Sequence, residues 1–251
     1  MRCAITGANG FVGGLLTEVF LERAWQVVAL VRSGASALER RGATVRPYGL
    51  VEARVPDFDG IDVLIHCAYA ADADNLDAAR RLFAGARSHG TRILFISSVA
   101  AGSTRRSRYG EEKRAIEGLL DPHRDVAIRP GLIIGDGGLF GAMTRAVRRY
   151  HLAPIPPGAF AVSTIEAGAF AQAMYEIAQE ASGGVRTICA PEPISLRALY
   201  RIVATRAGVH CTIVPVPYDV LLGIALVAER LRIPLPISAE NVRGLRSLAP
   251  S

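Results

Sequence analysis

A tyrosine and a lysine in the segment FISSVAAGSTRRSRYGEEKRAIE, residues 95–117, have types and spacing suited to proton transfer. Tyr109 and Lys113 are four residues apart, about one helical turn, so we expect the phenol and the ammonium on one face of a helix. A nearby cation favours the phenolate and lowers the pKa of a tyrosine, as general acid and base chemistry requires. Ser98 precedes them at the end of a predicted strand. Taken alone, the spacing of Tyr109 and Lys113 also fits an ordinary exposed side-chain pair.

Glycines near the start of the chain form a second candidate site. The stretch TGANGFVG, residues 6–13, places Gly7, Gly10 and Gly13 between an apolar run at residues 3–5 and a predicted helix over residues 12–23. Glycine allows close approach of the backbone to a ligand, and a helix N-terminus presents free N–H groups and the positive end of its dipole. The pattern predicts a phosphate-binding turn. A structural turn without a ligand is the alternative, because the spacing differs from G-x-G-x-x-G.

Arg32 and Ser33 end the second predicted strand, nineteen residues after Gly13. In a dinucleotide-binding fold this position meets the adenosine ribose, where an acid binds the 2′-hydroxyl and an arginine suits a 2′-phosphate. The arginine therefore favours NADP(H), with NAD(H) as the alternative cofactor. A solvated arginine at the end of a strand is the interpretation without a ligand.

Strands and helices alternate through the first half of the chain, which predicts an α/β fold with a doubly wound parallel sheet. The runs at 61–65 and 92–96 are apolar and β-branched with little alternation, as expected for central strands covered on both faces. Predicted strands lie at 27–31, 44–47, 63–67, 93–97 and 126–129, and predicted helices at 78–88 and 111–120.

The chain is less regular after Pro130. It contains the glycine-rich stretch GDGG at 135–138, a helix that ends at Tyr150 and a proline-rich segment at 152–158 that predicts a loop. We interpret residues 1–130 as the dinucleotide-binding core. Residues 131–251 are mainly a small C-terminal substrate-binding lobe over the carboxyl ends of the sheet, with the alternative that one strand returns to the core. Further predicted helices lie at 166–179, 195–207 and 219–231, and predicted strands at 186–189 and 211–214.

Composition excludes several classes of protein. The 251 residues are half hydrophobic and suit a globular protein, and the four scattered cysteines indicate neither a disulfide framework nor a metal site. We expect a reducing cytoplasm, with no secretory signal and no membrane span, since the longest apolar run, 220–228, is too short. The net charge of +6 comes from dispersed arginines, which favours an anionic small-molecule partner over nucleic acid.

Four motifs in order resemble the short-chain dehydrogenase/reductase superfamily, in particular its extended and atypical branch of NAD(P)-dependent epimerases, dehydratases and reductases. TGANGFVG is similar to that family's T-G-x-x-G-x-x-G loop, and VLIHCAY at 63–69 to its V-I-H-x-A-A segment beside the cofactor. YGEEKRAIE at 109–117 is similar to its Y-x-x-x-K helix, and RPGLIIG at 129–135 to its R-P-x-x-x-Y-G signature. The resemblance covers residues 2–135 and implies a Rossmann-like core.

The resemblance also implies a role for each candidate residue. Tyr109 would transfer the proton, Lys113 would contact the nicotinamide ribose, and Ser98, with Ser97 as the alternative, would polarise the substrate oxygen. The expected cofactor-binding residues are Gly7, Asn9, Gly10, Phe11, Val12, Gly13, Arg32, Ser33, Leu50, Cys67, Ala68, Tyr109, Lys113, Arg129 and Pro130.

The chain departs from the family patterns at several positions. Eleven residues separate Ser98 from Tyr109, fewer than in sugar epimerases, so we expect a trimmed lid over the substrate. Gly49 stands where the family commonly has an aspartate at the adenine, which leaves adenine recognition to the backbone or Leu50. Ile134 replaces the signature tyrosine, and Ala169 stands where an aspartate is usual.

The predicted function is NAD(P)-dependent oxidation, reduction or epimerisation at a secondary alcohol or ketone. A nucleoside diphosphate sugar is the favoured substrate, because arginine forks bind phosphate well, although the default interpretation of the cluster at 105–108 is a solvated surface. The alternative is a dinucleotide sensor or assembly factor without turnover. The resemblance further implies a homodimer that pairs through helices 78–88 and 111–120. The arginines considered for the substrate are Arg105, Arg106, Arg108, Arg145, Arg148 and Arg149.

Overall fold

The computed structural model describes residues 1–230 except 53, 105, 106 and 159, together with residues 239, 242 and 243. Its strands are β1 (Arg2–Thr6), β2 (Gln26–Val31), β3 (Thr44–Pro47), β4 (Val63–His66), β5 (Arg92–Ile96), β6 (Val126–Pro130), β7 (Leu132–Ile134), β8 (Leu152–Ile155), β9 (Ala161–Val162), β10 (Thr164–Glu166), β11 (Gly184–Ile188), β12 (Ile194–Ser195) and β13 (Thr212–Pro215). Its helices are α1 (Phe11–Glu22), α2 (Ala35–Arg40), α3 (Asn75–Ser88), α4 (Val99–Gly102), α5 (Arg108–Glu117), α6 (Gly138–Tyr150), α7 (Ala167–Gln179), α8 (Leu196–Ala207) and α9 (Tyr218–Arg230).

The central sheet is parallel throughout, with the strand order β11-β6-β5-β4-β1-β2-β3. Helices cover both faces: Leu16 and Phe20 of α1 pack with Phe170 of α7 on one face, and Leu82 of α3 packs with Ile116 of α5 on the other. The strand order reverses beside β1, and ligands of doubly wound folds bind at that point, outside the carboxyl ends of the strands. This is the Rossmann-like α/β fold that the sequence predicts.

Residues after 130 contribute both to the core and to a separate lobe. Strand β11 pairs with β6, and helix α7 packs on α1, so these two elements belong to the core. The lobe has its own apolar cluster, which includes Phe140 and Val147 of α6 and Leu199 and Val203 of α8. The sheets β8-β13 and β9-β12 lie within the lobe, and the sheet β7-β10 has residues in both the lobe and the core clusters.

The structure corrects the prediction of a loop over 152–158, because residues Leu152–Ile155 form strand β8 and pair with β13. Proline is tolerated there since β8 belongs to a sheet of two strands, where each strand is an edge. Capping side chains explain why two helices begin before their predicted starts. Asp74 accepts a hydrogen bond from the N–H of Asp77 at the start of α3, and Ser107 accepts one from the N–H of Gly110 at the start of α5.

The last predicted helix, 219–231, corresponds to α9, although residue 231 lies outside the described residues. Along the described part of the chain, no helix combines the length and the apolar character needed to cross a bilayer.

Candidate active site

Two adjacent serines at the carboxyl end of β5 have different partners. Ser97 is 3% exposed, and its Oγ donates to Oε1 of Glu117 at 2.5 Å. Ser98 caps the short helix α4 by accepting from the N–H of Ala100 at 3.2 Å, and its side chain is hydrogen-bonded to that of Tyr109. Of the two hydroxyls, the one at Ser98 therefore adjoins the phenol.

The Ser97 and Glu117 contact includes a third group, the guanidinium of Arg129. Its Nε and Nη2 donate to the two carboxylate oxygens of Glu117 at 2.9 and 2.6 Å, a bidentate pair that holds β6 against α5. The side chain of Arg129, an expected cofactor contact, is thus committed to α5. Pro130, the next expected contact, is buried at the end of β6, opposite Ile188.

Lys113 is enclosed by strand β5 and aromatic rings. The side chain is buried, with an exposed fraction of 4%, and its Nζ donates to the carbonyl of Ile96 at 2.9 Å. The ring centroids of Phe95, Tyr69 and Tyr109 lie 4.8, 5.0 and 5.7 Å from Nζ, within the range of cation–π attraction.

Burial controls the protonation of both groups. It lowers the pKa of Lys113 to about 8, because desolvation disfavours the ammonium more than Cys67, Glu112 and Glu117 favour it. Burial raises the pKa of Tyr109 to about 12, against the opposing hydrogen bond from Ser98. The expected lowering of the Tyr109 pKa is therefore not seen in this structure, because desolvation outweighs the hydrogen bond from Ser98. The phenol holds its proton at neutral pH.

The glycine turn packs closely on itself and presents the N-terminus of α1 without a side-chain cap in the described structure. Gly7 has a φ of +64°, and a Cβ at Gly13 would lie 2.2 Å from the carbonyl oxygen of Gly7, so a side chain cannot fit there. Gly10 caps α1 in an extended conformation, and in the described structure no side chain bonds to this terminus and no acid lies in its first turn. The residues present fit a bound pyrophosphate.

Phe11 and Val12 begin α1 directly after the turn, and both are partly buried. The ring of Phe11 packs against the backbone of Gly137, where a Cβ would lie 2.4 Å from it. The glycine turn is therefore in contact, through Phe11, with the start of the lobe at Gly137.

The candidate ribose site is formed by the ends of β1 and β2. Nδ2 of Asn9 donates to the carbonyl of Ser33 at 2.9 Å, and the exposed side chain of Arg32 passes Gly49, where a Cβ would lie 3.1 Å from its Cγ. Glu52, which the sequence analysis missed, brings a carboxylate oxygen to 2.8 Å from the same Cβ position. The family's usual aspartate is absent at position 49, but the carboxylate of Glu52 lies beside Gly49.

Leu50 follows Gly49 and is buried with Tyr48 and Phe58 in the apolar cluster that includes α3. Its expected contact with adenine stays a prediction.

Cys67 and Ala68 are held beside the turn by Thr6. Their N–H groups donate to Oγ1 of Thr6 at 3.0 and 3.1 Å, and this hydroxyl lies 2.8 Å from Nδ1 of His66. Because the hydroxyl accepts two N–H bonds, it donates its own proton to His66, whose pKa is lowered to about 3 by burial. Burial likewise raises the pKa of Cys67 to about 12, so its thiol is not a nucleophile here.

Three further side chains adjoin the site without having been predicted. The ring of Tyr69 lies edge-on to that of Tyr109 at 5.3 Å, and its hydroxyl donates to Glu112 at 3.0 Å. Asn75 donates to the other oxygen of Glu112 at 3.1 Å. Tyr69 ends the VLIHCAY segment and Glu112 precedes Lys113, so both were close to recognised motifs in the sequence.

The described arginines among those considered for the substrate have different surroundings. Arg105 and Arg106 lie outside the described residues, and Arg108 is exposed at the start of α5. Arg148, near the end of α6, donates to the carbonyl of Ala207 at 3.3 Å, about 15 Å along the helix from its start. Arg149 lies over the ring of Tyr150, with its guanidinium carbon 5.6 Å from the ring centroid, and Arg145 lies near Gly141.

Two residues that depart from the family pattern, Ala169 and Ile134, lie in described elements. Ala169 is exposed in the first turn of α7, where Glu166 pairs with Arg206 at 3.1 Å. Ile134 is buried in the apolar cluster of the lobe. Within the described ranges, His, Cys, Asp and Glu form no group able to hold a metal ion.

Comparison with known proteins supports the assignment of the turn and sheet. The family model described as NAD(P)H-binding matches residues 7–127, from the glycine turn to β6. This match agrees with the resemblance of the sequence to the short-chain dehydrogenase/reductase superfamily. The chain is similar in fold to the NADPH-dependent quinone oxidoreductase of Escherichia coli in complex with NADPH, with a TM-score of 0.77, 18% identity and coverage of 98% of this chain and 88% of that chain.

Other relatives differ in their substrates. The fold of MoeE5, in complex with UDP-glucuronic acid and NAD, matches with a TM-score of 0.72 and 18% identity, over 86% of each chain. A ceramide reductase of Caulobacter vibrioides is 32% identical over 163 residues, which cover 57% of this chain and 51% of the relative. The chain spans between 18% and 51% of the length of the curated relatives it matches. The two solved structures share their fold with this chain and contain NADPH or NAD, whereas the names of these relatives point to different substrates.

Proposed function

We propose that this protein is an NADP(H)-dependent oxidoreductase that transfers hydride between its cofactor and a ketone or secondary alcohol. The main support is the arrangement of Ser98, Tyr109 and Lys113 at the carboxyl edge of the sheet, next to a glycine turn that fits a pyrophosphate.

The chain's own residues would handle the proton. When bound, the cofactor supplies the hydride to the carbonyl carbon. Tyr109 donates its phenolic proton to the carbonyl oxygen, to which Ser98 donates a hydrogen bond, and the O–H bond of Tyr109 breaks as the O–H bond of the alcohol forms. Lys113 offsets the charge left on the phenolate oxygen. The protonated phenol is the form that this reduction uses.

The cofactor preference for NADP(H) is part of the proposal. Arg32 is an exposed cation at the end of β2, and Ser33 is fixed beside it through Asn9. A 2′-phosphate placed here would meet a guanidinium and a hydroxyl.

For the substrate we propose a nucleoside diphosphate sugar, supported by the basic charge of the chain and by the likeness to a fold that binds UDP-glucuronic acid. The second candidate is an apolar ketone. It is supported by the ceramide reductase similarity and by the position of Arg148, whose guanidinium bonds to α8 at the far end of α6.

A homodimer in the cytoplasm remains part of the proposal. The outward residues of α3 and α5, which would form the contact, are charged or small: Arg80, Ala84, Glu111 and Ala115. Light scattering at micromolar concentration measures the oligomeric state directly, and a monomer would remove the dimer from the proposal.

The test of function follows the absorbance of the reduced cofactor, with NADP⁺ and the alcohols UDP-glucose and UDP-glucuronic acid in one direction, and with NADPH and a long-chain ketone or a quinone in the other. Tyr109→Phe should lower turnover by about 100-fold or more with NADPH affinity unchanged, because only the proton donor is removed. Tyr150→Phe, an exposed tyrosine on α6, is the matched control and should behave as the parent protein. Tight NADPH binding without turnover of any substrate would favour the sensor alternative, and equal turnover in Tyr109→Phe would exclude the mechanism.

A further inference from the structure

Glu112 connects the catalytic helix to the segment that follows β4. One carboxylate oxygen accepts from the hydroxyl of Tyr69 at 3.0 Å, and the other accepts from Nδ2 of Asn75 at 3.1 Å. Asn75 is buried and also bonds to both the N–H and the carbonyl of Ala70. The carboxylate of Glu112 therefore links the segment 69–75 to helix α5.

The same contacts determine the surroundings of Tyr109. The ring of Tyr69 meets that of Tyr109 edge-on, with an interplanar angle of 84° and a centroid distance of 5.3 Å. Edge-to-face contact of this kind favours one ring orientation over a rotated one. Because the Tyr69 hydroxyl is bonded to Glu112, the ring that orients Tyr109 is itself fixed to α5.

Glu112 also lies next to Lys113, where a negative charge has an electrostatic effect. The groups that face the ammonium are His66 and Cys67 from the end of β4, Phe95 and Ile96 from β5, Tyr69 from the following segment, and Tyr109, Glu112 and Glu117 from its own helix. The carboxylates of this group oppose the desolvation of Lys113. The carboxylate of Glu117 is bonded to Ser97 and Arg129, whereas the carboxylate of Glu112 is bonded to Tyr69.

We propose that Glu112, held by Tyr69 and Asn75, is a positioning residue that orients the Tyr109 ring and keeps a negative charge beside the Lys113 ammonium. The proposal rests on the proposed function, since it assigns these residues to the same proton transfer. Tyr69 and Glu112 act through their neighbours and do not contact the reacting atoms.

The sequence allows a direct test, because Lys113 is the single lysine of the chain. Protein grown with ¹³C- and ¹⁵N-labelled lysine gives one side-chain signal in NMR, and its titration reports the pKa of Lys113. Glu112→Gln keeps the side-chain shape and removes the charge, so the pKa of Lys113 should fall by about one unit. Tyr69→Phe keeps the ring and removes the donor, and should lower that pKa by a smaller amount.

The control is Glu111→Gln, the same change at the exposed neighbour on the same helix, and it should leave the pKa of Lys113 unchanged. A second readout is the pH profile of NADPH oxidation, whose alkaline limb should move with the Lys113 titration in each variant. If Glu112→Gln does not fold, Tyr69→Phe provides the test, since the Tyr69 side chain is 40% exposed.

The outcomes separate the two proposals. An unchanged Lys113 titration in Glu112→Gln and Tyr69→Phe would overturn the positioning role, whether or not turnover is observed. A shifted titration in a protein that oxidises no NADPH would leave the positioning geometry supported and reject the proposed function. If Glu111→Gln shifts the pKa of Lys113 as much as Glu112→Gln does, the shift comes from the overall charge of the helix. That result would also overturn the proposal.

Discussion

The two ends of strand β5 each hold a buried cation, and the surroundings of these cations differ. At the amino end, Arg92 is 8% exposed, and its guanidinium donates to the carbonyls of Arg124, Ile177 and Ser182 at 2.9, 3.0 and 2.7 Å. At the carboxyl end, Lys113 donates to the carbonyl of Ile96 and is otherwise surrounded largely by aromatic rings. The guanidinium of Arg92 is hydrogen-bonded to three backbone carbonyls, whereas the ammonium of Lys113 donates to one carbonyl and lies beside the ring of Tyr109.

The side-chain chemistry explains this division. A guanidinium presents several N–H groups in a rigid fork, which suits a set of backbone carbonyls at the ends of α7 and β6, and it stays charged at every relevant pH. An amine is a single point of charge whose pKa moves on burial, and that of Lys113 falls to about 8. The arginine therefore stabilises the sheet, and the lysine remains available for the chemistry of the site.

The largest expected effect is on turnover at the carboxyl end. Lys113→Met removes the ammonium that offsets phenolate charge but keeps an unbranched side chain of similar length, so turnover should fall on the order of 100-fold. NADPH oxidation with the best substrate of the panel is the measurement. Turnover equal to that of the parent protein would remove Lys113 from the mechanism and, with it, the contrast between the two cations.

Arg92→Met tests the amino end and should act on stability alone. Several buried carbonyl groups lose their donor, which should cost about 3 kcal/mol in the free energy of unfolding. Urea unfolding followed by circular dichroism measures the loss, and turnover per folded molecule should be unchanged. A variant as stable as the parent, or one that is folded but inactive, would contradict the assignment of Arg92 to structure.

The free energy of unfolding should depend on pH through Lys113. The pKa of Lys113 lies near 8 in the folded chain and at its usual 10.5 when unfolded, so between these values the unfolded chain binds more protons and stability rises with pH. Below pH 8 the cost of burying the ammonium is fully present. Lys113→Met should therefore be more stable than the parent at pH 7, by on the order of 2 kcal/mol, and lose this advantage toward pH 10.5.

Urea unfolding of both proteins at a series of pH values measures this difference. An advantage of Lys113→Met that is the same at pH 7 and pH 10 would show that Lys113 titrates equally in the folded and unfolded chain.

Most of the core could be predicted from the sequence, because buried parallel strands are short apolar runs between helices. The predicted strand at 44–47 matches β3, and that at 27–31 differs from β2 by one residue. Helix starts were missed where caps decide them, as at Ser107 of α5. Strand β8 was missed because three prolines in the segment 152–158 suggested a loop, whereas its pairing with the distant β13 determines its structure.

The candidate site was predictable where its geometry is local. One-turn spacing brings Tyr109 and Lys113 to one face of α5, but the contact of Glu112 with Tyr69 joins positions 43 residues apart and has no periodic signal. The pKa of Tyr109 was misjudged for the same reason, since burial depends on the whole fold. The composition contained a signal that pointed to Lys113: the chain has 29 basic residues, and Lys113 is its only lysine.

The smallest expected effect concerns a third cation at the carboxyl edge, the exposed Arg32. Because it is solvated, its contact with a 2′-phosphate is screened, and Arg32→Ala should weaken NADPH binding only about tenfold, with NADH binding unchanged. Calorimetry with both cofactors measures the ratio of their dissociation constants, and Arg41→Ala, at another exposed arginine just after α2, is the control. A ratio unaffected by Arg32→Ala would assign the 2′-phosphate to other groups. A decrease much larger than tenfold would mean that Arg32 becomes desolvated on binding, as Lys113 already is, and that the cofactor closes this edge of the sheet.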